Sequence, residues 1–140
     1  SQSPDWLTTV HGTTELIKNQ VPEGSKIFAL PHDSIYYFLS ERDSGTQQLH
    51  FFDHVRISPE QENAIIAELE KNKVNYVILS NRAFKNSEGL GIFGQTYCPA
   101  LFNYIDKNFQ IVRAFGEGRN VAGWVDNHET LVVKRKKPLD

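Results

Sequence analysis

Helices and strands alternate along this chain, and the alternation predicts an α/β protein: a single-domain, three-layer, Rossmann-like fold with a mostly parallel sheet, helices on both faces and a C-terminal antiparallel hairpin. Three observations carry that prediction. Residues 27–30 and 74–79 are short, nearly unbroken apolar runs of strand length, the pattern of strands covered on both faces. Ser58-Pro59-Glu60-Gln61 supplies a capping serine, a proline at the first helical position and a glutamine three residues on, so a helix starts between those two strands. Near the end, 121–125 and 130–134 are strand-like runs joined by Asp126-Asn127-His128-Glu129, which suits a hairpin at a sheet edge.

The elements follow in order. Trp6, Val10, Leu16 and Ile17 give residues 6–20 helical spacing, strongest over 13–19 because the paired threonines and Gly12 weaken the first half. Val21-Pro22-Glu23-Gly24 is a turn, 27–30 a strand, and Pro31 its stop. Asp33 or Ser34 caps a short helix over 34–41 whose inward face is expected to hold Ile35, Phe38 and Leu39. Asp43-Ser44-Gly45 reads as a turn and 48–52 as the second strand. The helix from Ser58 is amphipathic to about Asn72, with Ala64, Ile65 and Leu69 inward and Glu62, Glu68, Glu70 and Lys71 as its charges. Cys98-Pro99 opens a further helix through Asn108, with Leu101, Tyr104 and Ile105 inward, and 109–115 returns as a strand.

Composition narrows the function classes. The chain has 140 residues, enough to bury one core without metals or disulfides, so 1–140 reads as one soluble domain. A net charge of −2 offers no general attraction to nucleic acid. The one basic run, Lys134-Arg135-Lys136-Lys137, reads as a solvated terminus, with anionic lipid headgroups as its functional alternative. Cys98 is the single cysteine, which excludes an intrachain disulfide and a cysteine-based zinc site. No apolar run approaches the roughly 20 residues that span a bilayer. Methionine is absent even at position 1, so the chain is expected to be a piece excised from a larger protein.

Two patterns bear on chemistry. Gly89-Leu90-Gly91-Ile92-Phe93-Gly94 has the letters of a dinucleotide fingerprint. In a working fingerprint the glycines link the strand end directly to the helix N-terminus, whereas here Ser80 to Glu88 and Gln95 to Cys98 intervene, so a glycine loop is the better reading and no cofactor is expected. The second pattern is distributed: His32 and Asp33 follow the first strand, Asp53 and His54 the second, and Arg82 with Asn81 the third. In a parallel sheet those carboxyl ends share one rim, so the five residues His32, Asp33, Asp53, His54 and Arg82 form a candidate polar ligand site. The competing reading is turn and capping chemistry, which accounts for Asp33 by itself. No metal is assigned. Ser34, Ser58 and Ser80 lack a nucleophile elbow and Cys98 has no visible base, so no catalytic residue is assigned. Most of the aromatic residues read as packing bulk.

A family resemblance goes further. Val21-Pro22-Glu23-Gly24 with residues 27–30, then Ile35-Tyr36-Tyr37-Phe38-Leu39-Ser40-Glu41-Arg42, then Gln61-Glu62 with Ile65-Ile66 and Leu69, Val74-Asn75-Tyr76-Val77-Ile78-Leu79, residues 97–105, and Phe109-Gln110-Ile111-Val112 with Phe115-Gly116 resemble the soluble C-terminal region of bacterial polytopic membrane glycosyltransferases. The type is that of the dolichyl-phosphate-mannose protein mannosyltransferases, and the resemblance covers about 13–136. It implies a domain on the extracytoplasmic, periplasmic face of the inner membrane, after the last transmembrane helix of a polyprenyl-phosphate-sugar-dependent transferase. In such proteins the catalytic acids lie in an early loop between membrane helices, so the implied role here is accessory: to cover the active site or to help hold donor or acceptor. The implied partners are the parent's own transmembrane region and a polyprenyl-phosphate sugar, glycan or protein acceptor. The alternative is an independent small-molecule-binding protein or enzyme that uses the polar rim.

Overall fold

The apolar run after Val74 becomes the middle of the sheet. The computed structural model describes residues 4–30, 35–46, 57–80, 92–116 and 129–140, with side chains from Trp6 onward. Within them β1 (Phe28–Leu30) pairs parallel with β2 (Tyr76–Ser80), β2 pairs antiparallel with β4 (Thr130–Arg135), and β4 pairs antiparallel with β3 (Phe109–Phe115). The strand order is β1-β2-β4-β3. Every β2 residue is buried, as expected of a strand with a neighbour on each side and helices over both faces. Among the described residues four helices accompany the sheet: α1 (Pro4–Gln20), α2 (Ile35–Ser40), α3 (Pro59–Lys71) and α4 (Pro99–Asn108).

This arrangement overturns the expected Rossmann-like, mostly parallel sheet. The protein is a small α/β protein with a mixed sheet, in which, among the described strands, only β1 and β2 run parallel. The expected C-terminal hairpin fails for the same reason. β4 is bonded to β2 along one side and to β3 along the other, so it offers no edge to residues 121–125. Those residues, and the strand expected at 48–52, lie outside the described residues. Local patterning reports the strand at 130–135 but not its insertion between two earlier strands, because edge and inserted antiparallel strands alternate in much the same way.

Alternation along β2 divides the core. Val77 and Leu79 join Phe28 and Leu30 of β1, Ile65 and Leu69 of α3, and Leu101 and Ile105 of α4. Tyr76 and Ile78 face the opposite way and join Ala29, Val132, Trp6, Val10 and Ile17 beneath α1. A register shift between Ile111 and Arg113 keeps β3 consistent with both faces. Ile111 pairs with Val133 of the α4-side cluster, whereas Arg113 and Phe115 pair with Val132 and Thr130 on the α1 side. A bulge moves side chains to the other face in this way. Gly12 accommodates the result, since a Cβ there would lie 2.7 Å from Phe115 Cε1.

α2 keeps Ile35 of the expected inward face packed against the core but turns Phe38 and Leu39 outward. Tyr36 and Ser40 are buried, while Phe38 is 81% exposed. Tyr37 fixes the rotation against the strand: its Oη accepts the Ala29 N–H at 2.7 Å. The chain then turns into Arg42, which is buried and satisfies helix-end carbonyls. Its Nε and Nη2 donate to Val21 O at 3.1 and 2.8 Å, and its Nη1 donates to Ser40 O at 2.9 Å. These carbonyls belong to the exits of α1 and α2, where intrahelical donors run out.

Candidate functional site

The carboxyl ends of β1, β2 and β3 and the start of β4 share one end of the sheet. Leu30 pairs with Leu79 there, so the chain leaves toward residues 31–34 and 81–91 from adjacent parallel strands. The exits of β1 and β2 therefore stand side by side. The five candidate residues themselves, His32, Asp33, Asp53, His54 and Arg82, lie outside the described residues.

What is described at this end is a set of hydroxyls. Thr13 Oγ1 of α1 lies 2.7 Å from Thr130 Oγ1 at the start of β4, and it donates to Thr9 O at 2.7 Å, leaving Thr130 to donate to it. Ser80, paired with Thr130 at the end of β2, is fully buried and its Oγ makes no hydrogen bond. Among the described residues no base contacts Ser80, so what is described of it is a buried polar lining group. The same contacts orient α1. Its first half lies at this carboxyl end, while Gln20 Oε1 accepts the Tyr76 hydroxyl proton at 3.1 Å at the opposite end of β2.

The glycine loop is structural where it is described. Gly94 adopts φ +85°, and a Cβ there would stand 2.6 Å from Phe102 Cγ. It belongs to a turn in which Gly94 N–H donates to Tyr97 O and Thr96 N–H to Ile92 O. The N-terminus of α4, the place where a pyrophosphate would be received, is already filled. Cys98 at the N-cap has left-handed φ, ψ of 52° and 50° and no side-chain cap bond. Glu62, only 3% exposed, reaches across from α3 and accepts the Leu101 N–H at 2.9 Å. A buried carboxylate there disfavours a phosphate at this helix end.

Sequence reasoning missed this role for Glu62. It read the residue as part of the solvated face, and the only available signal was negative: Cys98-Pro99 opens a helix without a capping side chain. The cap does, however, sit on a helix whose own start behaves as expected, since Ser58 Oγ accepts the Gln61 N–H at 3.2 Å and Gln61 Oε1 accepts the Ser58 N–H at 2.8 Å. Glu62→Ala is expected to cost about 2 kcal/mol, from one lost cap and a buried N–H left unpaired, and Glu62→Gln well under half of that. Denaturant unfolding with hydrogen exchange at Leu101 checks the pair of values; equal losses would remove the capping role.

The Cys98 thiol is pushed up to about 12 by burial, with the Glu62 carboxylate adding to the effect. The folded protein therefore holds the thiol proton at a pH where the unfolded chain has begun to lose it, and stability falls as pH rises above the ordinary value of 9.0. Comparing unfolding of the protein with Cys98→Ala from neutral pH to pH ~11 isolates that loss; a pH-independent difference between them would contradict it. For the same reason native Cys98 should resist alkylation until the chain unfolds.

Further concavities lie on the α3 and α4 side. An apolar groove of about 230 Å³ between α4 and β3 is walled by Phe93, Phe102, Ile105, Phe109 and Ile111. An open cleft of about 350 Å³ at the far end from the hydroxyls is lined by Glu70, Lys107, Asn108, Arg135, Lys136, Lys137 and Leu139. Among the described residues no group of three His, Cys, Asp or Glu converges as a metal site would require, and no helix is long and apolar enough to cross a membrane.

Fold and site together define a small α/β protein with a mixed four-stranded sheet among its described residues and a hydroxyl-lined carboxyl end. Comparison with family models, with curated proteins and with solved structures gives no match.

Proposed function

We propose that this chain is a non-catalytic accessory domain of a membrane glycosyltransferase, placed at the extracytoplasmic face and covering the active site or helping to hold donor or acceptor. The resemblance along the sequence motivates the reading, and one observation supports it. The first half of α1 lies at the same end of the molecule as the carboxyl ends of β1 and β2. A membrane region joined ahead of α1 would therefore meet the domain on the side from which the connections bearing His32, Asp33 and Arg82 depart. A cover over a membrane active site needs that orientation.

The test has two arms. The gene immediately upstream of Ser1 is expected to encode a series of apolar spans, and the isolated 140-residue chain is expected to transfer no sugar from a polyprenyl-phosphate donor. A soluble reading frame without spans, or sugar transfer by the isolated chain, would sink the proposal. Ser80 favours a second reading, an independent binder of a small polar molecule at the rim, because its buried hydroxyl makes no hydrogen bond. A thermal-shift screen of polar metabolites on the isolated chain separates the two readings.

A further inference from the structure

The basic run at the end of the chain is not uniformly solvated. Lys134 is half-buried, its Nζ 5.7 Å from the Tyr76 ring centroid. Arg135 is 4% exposed. Its Nε and Nη2 both donate to Val74 O, at 3.1 and 2.8 Å, and its guanidinium lies 4.5 Å from the Phe109 centroid and 5.4 Å from that of Tyr104. A guanidinium has five N–H donors; Val74 takes two of them and the Tyr104 hydroxyl engages the group as well, which leaves donors to spare. The group also lines the open cleft of about 350 Å³.

The walls of that cleft are cationic. Lys107 comes from the last turn of α4, and Lys136 and Lys137 from the residues after β4. Among the described residues none of these lysines, nor Arg135, is ion-paired with a carboxylate. Four cations therefore face a single lining carboxylate, Glu70, whose Oε1 already accepts the Tyr104 hydroxyl proton at 3.2 Å. The helix end does not consume the lysine charges either. Asn108 O accepts the Lys136 N–H at 2.8 Å, and Tyr104 O accepts from Asn108 Nδ2 at 2.8 Å. Backbone and amide donors thus satisfy these two carbonyls and leave the ammonium groups available.

We propose that this cleft binds a phosphate-bearing anion, a phosphate or diphosphate group, with Arg135 at its floor and Lys107, Lys136 and Lys137 at its walls. A doubly charged group with several acceptor oxygens matches a fixed guanidinium fork flanked by mobile ammoniums better than a single carboxylate does. The site is at the opposite end of β2 from the hydroxyl rim and stands independently of the function proposed for that rim.

Calorimetric titration of the 140-residue chain with inorganic pyrophosphate at low ionic strength tests the site. Binding is expected in the submillimolar range and should weaken as salt is added. Lys137→Glu should weaken it about tenfold or more, whereas Lys18→Glu, the same charge change on exposed α1, should change it less than about twofold. No binding at millimolar pyrophosphate overturns the proposal, and so does an equal loss in the two variants, which would reduce the effect to net charge. Sedimentation with vesicles containing phosphatidylglycerol identifies the source of the phosphate. Vesicle binding that pyrophosphate and Lys137→Glu both release assigns a lipid headgroup; pyrophosphate binding without vesicle binding assigns a free phosphate ester. Vesicle binding indifferent to both counts against the site.

Discussion

Arg42→Ala is expected to remove about 3–5 kcal/mol of stability, the largest single-residue effect in this protein outside its apolar core. The guanidinium makes three well-formed bonds to Val21 O and Ser40 O and two longer ones, at 3.4 Å, to Lys18 O and Glu41 O. The long pair contributes little. Truncation leaves the Val21 and Ser40 carbonyls inside the protein without donors, and each buried orphan costs about 1–3 kcal/mol. The side chain also joins the exits of α1 and α2, so its loss frees both helix ends together. Arg42→Lys keeps the charge but has one ammonium in place of the planar fork, and should lose about half as much. Urea unfolding followed by tryptophan fluorescence gives both values. Should Arg42→Ala fail to fold, Arg42→Lys still reports on the fork, and a lysine variant as stable as the parent would refute the brace.

Sequence legibility followed the range of the interactions. The capping box at Ser58 was readable because both of its bonds close within three residues. The helices at 4–20, 59–71 and 99–108 were readable because their periodicity is local. Strand order was not, because nothing within residues 130–135 records that β2 and β3 will flank it. The orientation of α2 was misread for a related reason: Phe38 is more apolar than Ser40, but the position of Tyr37 against β1 decides which residues turn inward.

Charged residues were the least legible of all. Glu62 and Arg135 read as surface and no pattern marks Arg42 for burial, yet each of the three is buried at 5% exposure or less. In each case the compensating partner is a backbone group distant in sequence: Leu101 N–H for Glu62, Val21 O for Arg42 and Val74 O for Arg135. Such pairings leave no complementary charge to find in the sequence. The five rim residues lie outside the described residues, and what is described near them is that β1 and β2 run parallel side by side, with their carboxyl ends adjacent.

Gly45 supplies the second large expected effect. In the sequence it looks like a turn glycine, but its φ is not in the left-handed region that turn glycines occupy here, unlike Gly24 and Gly94. Its requirement is proximity. A Cβ at position 45 would overlap Val74 Cγ2 and lie 3.4 Å from Leu69 Cδ2, and both of those side chains are fully buried. The backbone cannot retreat without loss, since Gly45 N–H donates to Ile27 O at 2.8 Å and Gly45 O accepts from Asn72 Nδ2 at 2.9 Å. Restricting the unfolded chain would favour alanine by about 0.4–1 kcal/mol, and overpacking opposes it by about 1–3 kcal/mol or more. Gly45→Ala should therefore destabilise by about 2 kcal/mol. Combining it with Val74→Ala should recover at least about 1 kcal/mol relative to the sum of the single changes, because the second substitution removes the overlapping methyl. Gly24 provides the contrast: a Cβ there meets nothing within 4 Å, so Gly24→Ala costs only left-handed strain, about 1 kcal/mol, and should be additive with Val74→Ala. Additivity at Gly45 as well would mean that close approach is not what holds glycine at that position.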